Sequence, residues 1–267
     1  MKLLKVGAFA IATILCWRNA KENSIVSGQI VWQAIAVGLC FYGLGDIISL
    51  LWHLLWSAST TTSLGDVFYG MGYLFLAIGL FNAVLPRQTS LSIWQTMGIA
   101  TAGILGIVLA SWMSFYMPNV EVVNPISSNN YETEGMEIIA SQPDQASQKT
   151  APQLVQIIDT RLKPIARHMR LLYVAGDCIL IVIASAMLVA FWGGTYSEAW
   201  KLIALAGLCL YVADMFMIYH QRQGSYQPGA FWEIFWILSA LFFGLGASIE
   251  YGISTQMQQR RSRQQRT

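Results

Sequence analysis

Seven stretches of this chain each run for about 20 mostly apolar residues, the length that carries a helix across the hydrocarbon core of a bilayer. They are roughly residues 3–17, 28–52, 66–85, 92–116, 169–192, 199–219 and 231–253. In hydrocarbon every backbone polar group must find its partner within the chain, so such runs form helices. The expected fold is therefore all-α, a polytopic membrane helix bundle with seven transmembrane helices. Composition agrees: 55% of the residues are hydrophobic and 11% charged, against about 25% charged in soluble domains. A cytosolic enzyme with a large core is excluded. The formal net charge of +2 leaves no footprint for nucleic acid. Cys16, Cys40, Cys178 and Cys209 are scattered through apolar runs, which reads as packing rather than a disulfide framework or a metal site.

The first run is the shortest. Lys2 and Lys5 before an apolar core resemble the start of a signal peptide, but no small-x-small cleavage site follows. Retention as a membrane helix is expected. Basic residues near span ends set orientation. The tail Gln259-Arg260-Arg261-Ser262-Arg263 is the strongest cluster and is expected in the cytoplasm, which with seven spans puts the N-terminus outside. Arg161, Lys163, Arg167 and Arg170 then fall outside, in a long connection that translocates largely regardless of charge. Four segments follow: a first membrane half (1–116), an extracytoplasmic polar loop (117–166), a second membrane half (167–254) and a basic tail (255–267). The loop begins with a composition expected to be disordered. It ends with Leu154, Ile157, Ile158, Leu162 and Ile165 at helical spacing, either an amphipathic surface helix or a lead-in turn.

The second and sixth spans resemble one another. Gly38-Leu39-Cys40-Phe41-Tyr42 and Gly45-Asp46 lie against Gly207-Leu208-Cys209-Leu210-Tyr211 and Ala213-Asp214. Asp66-Val67-Phe68-Tyr69 and Gly79 of the third span lie against Glu233-Ile234-Phe235-Trp236 and Gly246 of the seventh, with an offset drifting from 169 to 167. Matched spans are four apart, so the repeats share one orientation. A layout of three helices, a connecting fourth and three more follows, of a kind some transporters use.

Carboxylates within apolar spans are costly and normally face a partner or a wet cavity. Asp46, Asp177 and Asp214 are of this kind, while Asp66 and Glu233 open their helices. All five gather toward the outer side, near Tyr69, Tyr73 and other tyrosines that can donate hydrogen bonds. Asp46, Asp66, Tyr69, Tyr73, Asp177, Asp214 and Glu233 are the candidate ligand-binding residues of an outward-facing pocket. For Asp66 and Glu233, helix capping is the stronger reading. His53 and His220 follow Asp46 and Asp214 by seven and six residues. The pair is a weak candidate for haem or a divalent metal; its plainer reading is polar residues at helix ends. No cofactor is required by any motif. The seventh span has no Lys, which excludes covalent retinal. No nucleophile elbow, P-loop or dinucleotide fingerprint is present.

The segments Leu44-Gly45-Asp46-Ile47-Ile48-Ser49 and Gly65-Asp66-Val67-Phe68-Tyr69-Gly70-Met71-Gly72-Tyr73, with Tyr173-Val174-Ala175-Gly176-Asp177 and Ala213-Asp214, resemble the multi-helix membrane sensor region at the N-terminus of bacterial GGDEF-class diguanylate cyclases. The likeness spans nearly the whole chain except residues 117–165. The Gly-Gly-(Asp/Glu)-Glu-Phe output motif is missing, so cyclase activity does not carry over. The resemblance implies a non-enzymatic sensor-like or ligand-binding module in a bacterial inner membrane or other energised membrane, signalling through a separate membrane or cytoplasmic partner. A small-solute or proton-coupled transporter and an accessory or assembly subunit are the alternatives. The transporter is disfavoured by the lack of a helix-breaking Pro within spans two to seven.

Overall fold

Each apolar run becomes one long helix. The computed structural model describes residues 1–56, 64–85, 92–113, 166–191, 197–223 and 229–264. The helices are α1 (Lys2–Lys21), α2 (Gln29–Trp56), α3 (Leu64–Val84), α4 (Ile93–Ser111), α5 (Ala166–Ala190), α6 (Ser197–Arg222) and α7 (Ile234–Gln264), with a 3-10 turn, Phe231–Glu233, leading into α7. All seven are long and apolar enough to cross a membrane. The chain is an integral membrane protein of helical-bundle type.

The expected span limits hold to about one turn except in the last. The seventh span does not stop at 253 but runs unbroken to Gln264, so much of the basic tail is helix. Gln and Arg are good helix formers, and neither Gly nor Pro follows Gly252. At 1.5 Å per residue the 31 residues of α7 span about 46 Å, against about 30 Å of hydrocarbon. The end of α7 thus stands out beyond the bundle as a rod. The candidate amphipathic segment ending at Ile165 lies outside the described residues.

Six helices form a ring. α1 packs on α2, α2 on α3, α3 on α5, α5 on α6, α6 on α7, and α7 back on α1. α4 lies outside it against α5, where Tyr211 of α6 donates to the Gly106 carbonyl at 2.8 Å. Helices in lipid associate by close packing, which small residues permit. A Cβ on Gly79 of α3 would lie 3.1 Å from the Val31 carbonyl oxygen and 2.8 Å from Ile35 Cγ1 on α2. A Cβ on Gly246 of α7 would lie 2.8 Å from the Ala199 carbonyl oxygen and 2.6 Å from Ile203 Cγ1 on α6. At each crossing the backbones touch. Across the ring, the fully buried Trp32 and Trp200 meet with centroids 5.5 Å apart.

α1 is held at both ends. Toward its C-terminus, Asn19 donates to the Ala247 carbonyl at 2.8 Å, and Arg18 stacks on Tyr251 at 3.9 Å. The buried Glu250 carboxyl accepts from the Ser27 backbone N–H and hydroxyl. Ser27 in turn accepts from Trp32 Nε1 at 2.8 Å. Phe9, Ala12 and Cys16 fill the core between these anchors. Of the four cysteines only Cys16 is a core residue; Cys178 and Cys209 are half-buried and Cys40 is exposed.

Candidate functional site

Antiparallel alternation brings the start of α1, the end of α2, the starts of α3 and α5, the end of α6 and the start of α7 to one face of the bundle. In that half lies a buried polar centre to which every helix of the ring contributes.

One part is built on Asp46 of α2. Its Oδ1 is 2.7 Å from Lys5 Nζ of α1 and accepts from the Tyr69 hydroxyl of α3 at 2.7 Å. The Lys5 ammonium also sits 3.9 Å from the centroid of the Trp236 ring of α7. Both ion-pair partners are nearly enclosed, with 12% and 8% of their side chains exposed. The second part is built on Asp214 of α6. Trp236 Nε1 donates to its Oδ1 at 3.0 Å, and the Tyr73 hydroxyl bonds its Oδ2. The same hydroxyl lies 2.7 Å from Asp177 Oδ1 of α5. Lys5 against Trp236 joins the two parts, and Tyr42 packs on both Tyr69 and Tyr73.

The local sequence explains this geometry. Tyr69 and Tyr73 are four residues apart on α3, as are Tyr173 and Asp177 on α5, so each pair shares a helix face. Two of the Gly-Asp pairs, Gly45-Asp46 and Gly176-Asp177, work as units. A Cβ at Gly45 would lie 2.7 Å from the Tyr69 ring, and one at Gly176 would lie 2.7 Å from the Tyr73 ring. The glycine lets the ring lie on the helix backbone, and the hydroxyl then reaches the next residue, Asp46 or Asp177. The Gly-Asp motif is thus a seat for a tyrosine.

Five of the expected site residues, Asp46, Tyr69, Tyr73, Asp177 and Asp214, meet in this centre. Asp66 adjoins it: the Tyr173 hydroxyl bonds its carbonyl and carboxylate at 2.8 and 3.0 Å, and Tyr173 packs against Tyr73. Glu233 stands apart. Its Oε1 accepts the Gly229 N–H at 2.9 Å, the helix-start role expected of it, and Gly229 takes the positive φ of 93° that this turn requires. Asp46, Asp177 and Asp214 are buried and bonded to neighbouring helices.

Sequence reasoning missed Lys5, taken for a targeting charge, and the indole of Trp236, noted only as a match in the repeat. A buried Asp46 calls for a cation, and Lys5 lies in an apolar run toward the same face, but the same residue fits a targeting signal equally well. The His220 ring stacks on Trp232 with centroids 3.8 Å apart, while the His53 side chain lies outside the described residues. Among the described residues no group of three or more His, Cys, Asp or Glu side chains is placed to hold a metal. Asp214 follows Asp46 by 168 residues, as Trp200 follows Trp32 and Ile203 follows Ile35. At that spacing His220 falls against Trp52 and Gly38 against Ala206.

Comparison with known proteins yields no relative: no family model, no curated protein and no solved structure matches the chain.

Proposed function

We propose that the chain is a non-enzymatic, sensor-like membrane module that acts through a separate protein partner. The observation that carries this reading is the buried centre shared by all six ring helices. Ionisable groups inside a membrane bundle are expensive, and they mark functional sites by default. Asp46, Asp177 and Asp214 are held by contacts from α1, α3 and α7, so a change in charge there is felt by the whole ring. α7 then extends from the centre, through Trp236, to an arginine-bearing rod beyond the opposite face. That rod is the natural contact for a partner, and its arginines also suit anionic lipid.

The same reading relates the halves of the ring by a two-fold axis along the membrane normal. Its support is a set of matched contacts: Gly79 on Val31 and Ile35 against Gly246 on Ala199 and Ile203, and Tyr69 on Asp46 against Trp236 on Asp214. It also places the protein in a bacterial inner membrane or other energised membrane, with the N-terminus outside and the end of α7 in the cytoplasm, following the arginine cluster.

The test is quantitative mass spectrometry of what co-purifies with the tagged chain in mild detergent. A stoichiometric partner is expected, lost when Arg260 and Arg263 become Glu and altered in yield by Asp46→Asn. Proteoliposome uptake of a solute, abolished by Asp46→Asn or Asp214→Asn, would replace this reading with a transporter.

A further inference from the structure

Three oxygens form a chain in the middle of the bundle: Asp177 Oδ1, the Tyr73 hydroxyl oxygen and Asp214 Oδ2. Both links are at hydrogen-bond distance. A phenol donates one hydrogen bond, and a carboxylate has no proton to donate. Two such links need two protons, and Tyr73 supplies one.

The neighbours do not supply the other. Trp236 Nε1–H goes to Asp214 Oδ1, the Lys5 ammonium is paired with Asp46, and Tyr211 donates to the Gly106 carbonyl. Of the remaining titratable groups near the chain, Tyr42 of α2 makes no hydrogen bond among the described residues, Tyr173 of α5 donates to Asp66, and the half-buried Cys178 thiol adjoins Asp177 on α5. The two carboxyls also differ. Asp214 receives a donor on each oxygen. Asp177 is fully buried, and its Oδ2 has no hydrogen-bond partner among the described residues, a poor setting for a full negative charge.

We propose that Asp177, Tyr73 and Asp214 form a proton-binding site: a carboxylic acid at Asp177 donates to the Tyr73 oxygen, and the Tyr73 O–H donates to an ionised Asp214. A proton arriving from water bonds to Asp177 Oδ1 and converts that carboxylate to the acid; no other bond changes. Lys5 balances Asp46, and the single negative charge of the Asp177–Asp214 pair rests on Asp214 with two donors. Loss of the proton leaves two carboxylates converging on one phenol oxygen, which pushes α5 away from α6. The proton is thus the ligand of the centre, and only this last consequence rests on the sensor reading above.

The experiment is difference infrared spectroscopy of the full chain in lipid vesicles at stepped pH. The expected result is a carboxylic-acid carbonyl band near neutral pH that shifts in D2O and is lost as pH rises. Labelling aspartate at the side-chain carboxyl carbon with 13C must move this band, which assigns it to an aspartate without any variant. Asp177→Asn should remove the band yet keep the fold, because the amide N–H replaces the acid O–H as donor to Tyr73. Absence of an aspartic-acid band in the folded protein, or its persistence in folded Asp177→Asn, overturns the proposal. If the band behaves as expected while partner capture is the same at every pH, the proton site stands and the sensor reading falls. If capture depends on pH and the band is absent, the reverse holds.

Discussion

Replacing Lys5 by Met tests the centre most directly. Met fills similar volume and removes the charge, leaving the buried Asp46 carboxyl with the Tyr69 hydroxyl as its one donor among the described residues. Breaking a buried ion pair by removing one partner costs about 3–5 kcal/mol. The surviving Tyr69 bond places this case near about 3 kcal/mol, about a hundredfold in the unfolding equilibrium. Asp46→Leu should cost less, about 1–2 kcal/mol, because Lys5 lies in the first turn of α1 and its long stem can withdraw the ammonium to the interface. The double variant Lys5→Met/Asp46→Leu removes both charges and should be more stable than Lys5→Met alone, giving a coupling of at least about 1 kcal/mol. The assay is reversible unfolding in mixed micelles, followed by helical signal, over the four-member cycle. A Lys5→Met cost under about 1 kcal/mol, or strict additivity of the single variants, would refute the ion pair and the role of α1 in the centre.

Two other predictions follow from packing and charge. Gly246→Ala should destabilise by about 1–3 kcal/mol, as overpacking does, because its Cβ meets the Ala199 carbonyl. Gly252→Ala on the same helix, with open space around it, should be neutral or slightly stabilising, and equal melting shifts for the two would contradict the α6–α7 crossing. A reporter fused after α7 should fluoresce as a cytoplasmic protein and fail as an exported phosphatase. The opposite pattern would invert the topology and turn the polar centre toward the cytoplasm.

Much of the site was legible because the membrane makes each buried charge conspicuous. Asp46, Asp177 and Asp214 stood out from their apolar runs, and Tyr69 and Tyr73 followed as nearby tyrosines able to donate hydrogen bonds to them. Asp66 and Glu233 were legible as helix openers, and Glu233 does serve its own turn. The role of Lys5 was not, because a cation near a chain start fits a targeting signal equally well until its partner is known.

Local sequence was sufficient for the seven helices, since about 20 apolar residues in hydrocarbon admit one backbone solution. It was also sufficient to single out the carboxyls that need partners. Pairing was beyond its reach. Which helix stands beside which depends on how small residues let backbones meet, as at Gly79 and Gly246. Only the closed ring brings Lys5, Asp46, Trp236, Asp214, Tyr73 and Asp177 together. Hydrophobicity has no direction and cannot choose a neighbour; hydrogen bonds and close contacts do, and they exist only once the helices have packed.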